Sequence, residues 1–180
     1  MNVIFLDFDG VINTVHNNTK EDIEKRISIL SDICKENDCS IVIEASVKKW
    51  IDEKTLKTDV KWVKEIFELF KKYNIKCVGR TPEIGRNISS YSYTPIWKED
   101  EIRIYLFNNP EIDHFVIIDD DDMAPRNSDL NTLRNHLVTT VFYSDNIDEE
   151  GLLEKHKKEV KEKMKLENEY KVYAEKKKMR

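Results

Sequence analysis

The chain has 180 residues, of which 39% are hydrophobic and 36% charged, and its formal net charge is −5. That length suffices for one domain with a real core, and the negative charge excludes a duplex-DNA binder that works by neutralising many phosphates. No apolar run approaches the roughly eighteen residues of a membrane span, and no basic-then-apolar leader opens the sequence, so a cytoplasmic chain without membrane association is expected.

In chain order, residues 2–7 read as a short buried strand, Asn2-Val3-Ile4-Phe5-Leu6-Asp7. Residues 19–36 read as a helix: Thr19 caps it, Glu21 and Asp22 suit its first turn, and Ile23, Ile27, Leu30 and Ile33 form an apolar stripe. Ser40 to Ile43 is a second strand. Residues 58–73 repeat the helical pattern with Val60, Val63, Ile66, Phe67 and Phe70, leading into a third strand at 75–78. A polar, aromatic-rich loop runs from Gly79 to Trp97. Residues 98–108 are helical and end at Asn109-Pro110. A strand at 114–118, an acidic loop, a helix near 128–136 and a strand at 138–143 follow. Strands alternating with helices imply parallel pairing through right-handed crossovers. The reading divides the chain into an α/β domain at 1–147 and one long charged helix at 148–180. Leu153, Val160, Met164, Tyr170 and Ala174 stripe that helix, which packs on the domain or forms a homodimer.

The chemistry-bearing residues lie at strand ends. Residues i and i+2 of an extended chain point the same way, so Asp7 and Asp9 face one site, and Gly10 permits a tight turn away from it. Like charges this close need a cation, and oxygen-only ligands suit Mg2+. The 114–118 strand also ends in acids, Asp119-Asp120-Asp121-Asp122. Two such strands describe one carboxylate cluster at the C-terminal edge of a parallel sheet, where open α/β sheets bind ligands. Cys34, Cys39 and Cys77 are odd in number and lack CxxC spacing, which reads as free thiols. His16, His114, His136 and His156 lack ligand spacing and read as structural or exposed.

At Asp7-Phe8-Asp9-Gly10 and Asp119-Asp120 the chain resembles the haloacid dehalogenase (HAD) superfamily of aspartate-nucleophile phosphohydrolases. Asn13, Thr81-Pro82, Lys98-x-x-Glu101-Ile102 and Gly151-Leu152 make it similar to the small HAD domain associated with Swiss Army Knife RNA-repair proteins, over roughly residues 2–153. The resemblance implies a Rossmann-like α/β fold, with a mostly parallel sheet and helices on both faces. It implies Asp7 as nucleophile forming an aspartyl-phosphate and Asp9 as acid and base. Asp7, the main-chain carbonyl of Asp9, and Asp119 or Asp120 would hold Mg2+, and Lys98 would supply fixed positive charge. Family caps are inserted after the first or second motif, and the connections here leave no room for a separate cap domain.

One position departs from the resembled pattern. The family's second strand ends in Ser or Thr that bonds the phosphate; here the stretch is Glu44-Ala45-Ser46-Val47-Lys48, and either Glu44 or Ser46 stands in that place. Three outcomes would relieve the Glu44 charge: a pair with Lys48 or Lys98, protonation, or Glu44 turning away while Ser46 takes over; the lysine pair is the one expected. Arg80 and Arg86 are candidate phosphate clamps, and Tyr91, Tyr93 and Trp97 candidate stacking residues for a nucleobase. The expected activity is a Mg2+-dependent phosphatase acting on a phosphorylated small molecule, a nucleotide or a nucleic-acid end. Two further expectations are kept: a HAD-fold protein that sequesters a nucleotide-derived signal with little turnover, as a viral antagonist of host defence would, and a scaffold that docks through the 148–180 helix.

Overall fold

The computed structural model describes residues 1–84, 98–121 and 132–171. Five strands form one sheet: β1 Asn2–Leu6, β2 Cys39–Ile43, β3 Cys77–Arg80, β4 His114–Asp119 and β5 Leu137–Thr139. Their order is β3-β2-β1-β4-β5 and every pairing is parallel. The helices are α1 Lys20–Asn37, α2 Lys61–Lys72, α3 Lys98–Asn108 and α4 His156–Lys163.

Side-chain alternation along β1 builds both layers. Ile4 and Leu6 join the core under α1, α2 and α4, whereas Val3 and Phe5 join the core under α3 with Ile102 and Leu106. α1 begins where the sequence predicts, because Thr19 and Asp22 form a reciprocal capping box that satisfies two orphan amides. After β1 the chain winds outward through β2 to β3, then returns to the other side of β1 as β4. The connections leaving β1 and β4 therefore diverge, opening a crevice at the C-terminal ends of these two neighbours. Their register pairs Leu6 with Ile118, which puts Asp7 beside Asp119.

Two expectations require correction. The long helix at 148–180 is absent from the described residues: a 3-10 turn Ile147–Glu149 is followed by Gly151 at φ +74 and only then by the short α4. Val160 and Met164 pack with the α1 side of the core, while Tyr170 packs against the opposite core. A straight helix cannot reach both faces of a sheet, so the chain turns around Asn168, which is buried and donates to the carbonyls of Ile112 and Asp113. The helix near 128–136 is a 3-10 helix, Thr132–His136, within the described residues. Ala174 and residues 122–131 lie outside them. Cys34, Cys39 and Cys77 form no disulfide. Among the described residues no helix is long and apolar enough to cross a membrane, and no second compact unit is inserted as a cap.

Candidate active site

The crevice between β1 and β4 is lined by acids around one ammonium. Lys98, the first residue of α3, donates from Nζ to Asp7 Oδ2 at 2.6 Å and to Asp119 Oδ2 at 2.8 Å. Glu44 Oε2 stands 3.4 Å from the same nitrogen. Backbone amides hold the other oxygens: Phe8 N donates to Asp7 Oδ1 at 2.7 Å, and Asp121 N donates to Asp119 Oδ1 at 2.9 Å. Asp7, Asp119 and Asp120 each bring one oxygen within 4.8 Å of the others.

Burial dominates the electrostatics of this group. Asp119 is 0% and Glu44 only 1% exposed. Loss of water pushes Asp7 up to about 6; the Lys98 charge opposes that rise and the Asp119 charge adds to it. Burial also pushes up Asp119, against Lys98, and Asp120, where the Asp7 charge adds. Glu44 is pushed up to about 8 by burial, although Lys98 and Lys48 both pull it down. Burial alone would lower the Lys98 ammonium, yet Glu44, Asp7 and Asp119 together hold it above the ordinary lysine value. Four carboxylates therefore share too little positive charge, and an all-oxygen donor set of this kind fits a hard divalent cation.

Glu44 ends up between two lysines. Lys48, buried within the 3-10 helix Ser46–Trp50, reaches Glu44 Oε1 at 3.5 Å, the Glu44 carbonyl at 3.3 Å and Thr81 Oγ1 at 2.9 Å. It also bonds Glu101, whose other oxygen accepts from Ile84 N at 3.2 Å. Lys98 and Glu101 lie one turn apart on α3, so one small network ties the ends of β2 and β3 to the start of that helix. Sequence reading put Lys48 forward only as a partner for Glu44. Its nearness to Glu44 in the sequence was its signal; the Glu101 and Thr81 links needed the fold.

The remaining predicted residues divide. Asp9 is exposed and outside the three-carboxylate group by its side chain, which accepts from Asn13 Nδ2 at 2.7 Å. Gly10 has φ +74, and a Cβ there would land on the Asp120 side chain, so only glycine lets the two strand ends approach. Ser46 is exposed at the start of its 3-10 helix, while Glu44 is the residue beside Lys98. Arg80 is turned toward the loop after that helix: Nε donates to the Ile51 carbonyl at 2.7 Å and an amino group to the Thr81 carbonyl at 3.1 Å. Arg86, Tyr91, Tyr93, Trp97 and Asp122 lie outside the described residues.

Sequence reading missed a second buried network behind the loop that carries Asp9. Arg26 donates to the carbonyls of Ile12 at 3.1 Å, Asn17 at 2.7 Å and Glu150 at 3.1 Å. A Cβ on Gly151 would strike the Arg26 guanidinium, and Leu152 N donates to the Val11 carbonyl at 2.9 Å. The 150–152 segment thus pins the first loop from below; the Gly-Leu pair in the sequence was the visible trace of it.

The profile of a family described as HAD domain in Swiss Army Knife RNA repair proteins matches residues 3–145. No curated protein and no solved structure matches the chain.

Proposed function

Because the chain belongs to the family of HAD domains in Swiss Army Knife RNA repair proteins, we propose that it is a Mg2+-dependent phosphohydrolase acting on a nucleotide or a nucleic-acid terminal phosphate. The observation that carries this reading is Lys98 clasped by Asp7 and Asp119 next to Asp120 in the crevice between β1 and β4. Asp7, Asp119 and Asp120 would hold the cation, with the Asp9 carbonyl as a further donor. A bound Mg2+ would offset the repulsion between carboxylates and phosphate and polarise the phosphoryl oxygen.

Asp7 is oriented for attack on phosphorus, since Phe8 N and Lys98 fix both its oxygens. Attack forms an aspartyl-phosphate and expels the alcohol. Asp9, exposed and steadied by Asn13, is placed to give the leaving oxygen a proton and then take one from the water that hydrolyses the intermediate. Lys98 keeps its charge through the cycle and steadies the charge that develops on the phosphoryl oxygens.

The test is phosphate release, with and without Mg2+, from p-nitrophenyl phosphate, nucleotides and oligonucleotides phosphorylated at the 3′ or 5′ end. Release that depends on Mg2+ and falls by about a thousandfold or more in Asp7→Asn is expected. Activity that is absent, or that survives in Asp7→Asn, overturns the assignment. A second reading, a HAD-fold protein that holds a nucleotide with little turnover, draws on Glu44, a buried acid where the family pattern has a hydroxyl. Nucleotide recovered unchanged after tight binding in the presence of Mg2+ would favour it.

A further inference from the structure

The loops flanking the acid cluster carry rings that face water. Val15 lies two residues beyond Asn13, the partner of Asp9, and its amide donates to the Phe142 carbonyl at 3.1 Å. Phe142 lies two residues beyond Thr140, whose amide donates to the Asp119 carbonyl at 2.9 Å. Two residues of extended chain span at most about 7 Å, so Val15 and Phe142 sit at the rim of the site. Tyr143 is 58%, Ile147 49%, Val15 43% and Phe142 41% exposed.

The rim is held in place. His16 stands 5.4 Å from Tyr143, ring centre to ring centre, at an interplanar angle of 41°. Beneath it lies the buried Glu150, whose Oε1 is 2.6 Å from His16 Nδ1 and accepts from Ser144 N at 3.0 Å. Tyr143 donates to Asp145 at 3.0 Å, and Asn17 Nδ2 donates to the Ile147 carbonyl at 2.7 Å. Aromatic rings fixed open to solvent beside a phosphate site are suited to stacking a planar group joined to that phosphate.

Charge narrows the ligand further. Residues 13–18 and 140–150 contain no Lys or Arg, and Asp145, Asp148 and Glu149 lie among the rim residues. A surface that follows a nucleic-acid strand needs cations for its phosphates, whereas this one repels every phosphate except the one in the cluster. We propose that Tyr143, His16, Phe142 and Val15 form a base-stacking platform that selects a mononucleotide over a phosphorylated strand end. The position of the phosphate rests on the phosphohydrolase reading.

Adenosine 5′-monophosphate, ribose 5-phosphate and a 5′-phosphorylated oligoadenylate are compared by kcat/KM with Mg2+. The mononucleotide is expected to lead both, and Tyr143→Ala to lower its advantage over ribose 5-phosphate by about tenfold. Tyr143→Phe, which keeps the ring, retains the advantage. Leu166→Ala, at an exposed apolar side chain near the start of β4, leaves the ratio at the wild-type value. An advantage unchanged in Tyr143→Ala, or a lead for ribose 5-phosphate or the oligonucleotide, overturns the platform. If none of the three is hydrolysed, the phosphohydrolase reading fails alone. The same ratios are then read as dissociation constants by calorimetry, with the same outcomes deciding.

Discussion

One strand, β4, carries an aspartate at each end, and the two behave oppositely. Asp113, just before it, meets the N-terminal ammonium and Lys171, and these partners hold its carboxyl down at about 2. Asp119, at its other end, bonds Lys98 at 2.8 Å and a backbone amide, yet its pKa rises. Both have a lysine. What differs is water: Asp113 sits at the surface, and Asp119 is fully buried among other acids. An ion pair holds a carboxylate below its ordinary value only where its pull exceeds the loss of solvation. The C-terminal edge of the sheet has been left short of positive charge, as the proposed cation site would require, and the N-terminal edge has not.

The largest expected effect tests that shortfall through pH. Glu44 titrates near 8 in the folded chain, far above an ordinary glutamate. Between those values the folded state keeps a proton that the unfolded state has released, so metal-free stability falls as pH rises from 5 to 8. The slope from this group is at most about 1.4 kcal/mol per pH unit, or about 4 kcal/mol over that window. Urea titrations at pH 5, 6.5 and 8 measure it, and Glu44→Gln, which cannot ionise, should reduce the slope and leave the part that the raised Asp7, Asp119 and Asp120 contribute. An unchanged slope in that variant would mean that Glu44 is not the group responsible.

Next is Lys48, the buried ammonium that Glu44, Thr81 and Glu101 share. Lys48→Met leaves Glu101 without its buried ammonium, while Glu44 keeps Lys98, and should cost about 3 kcal/mol in the same titration. Replacing Glu101 as well, in Lys48→Met/Glu101→Gln, should recover part of that loss, since the uncompensated charge goes with it. A loss that stays whole in the double variant would assign it to packing.

Magnesium should reverse the tension that pH exposes. At a concentration one hundred times its dissociation constant, a ligand specific for the folded chain stabilises by about 2.7 kcal/mol. Thermal unfolding at pH 8 with and without Mg2+ reads this. The shift should be lost in Asp119→Asn and kept in Asp113→Asn. Equal shifts in both variants would place the cation elsewhere.

Much of this architecture is legible in the residues themselves. Val3 to Leu6, and Phe115 to Ile118, are too apolar to be anything but buried strands, and Thr19 with Asp22 announces α1. Asp7 and Asp119 were legible for the same reason: each is the first acid after such a run. The terminal segment was misread because Val160, Met164 and Tyr170 fit one helical stripe, and nothing local reveals that the first two and the last face opposite sides of the sheet. Periodicity reports apolar spacing, not which layer receives it. The exposed ring at Tyr143 was likewise invisible, since its orientation depends on Glu150 and His16, 134 residues apart.

The smallest expected effect belongs to Asp113, and it is the control on the whole contrast. Asp113→Asn removes two ion pairs, with the N-terminus and with Lys171, which by count is more than the one pair, with Lys98, that Asp119 makes among the described residues. Yet all three groups are partly exposed and screened by salt, and exposed pairs contribute little. The midpoint of urea unfolding at pH 7 and physiological ionic strength should therefore match that of the unaltered chain. Its depressed pKa gives the sign in acid: the stability contributed by Asp113 is present above about pH 4 and lost as pH falls through about 2. The variant and the parent chain should diverge at pH 7 only when salt is reduced. If Asp113→Asn instead weakens the chain at pH 7 in full salt as Lys48→Met does, then the number of pairs rather than burial governs both ends of β4, and the contrast drawn between them is wrong.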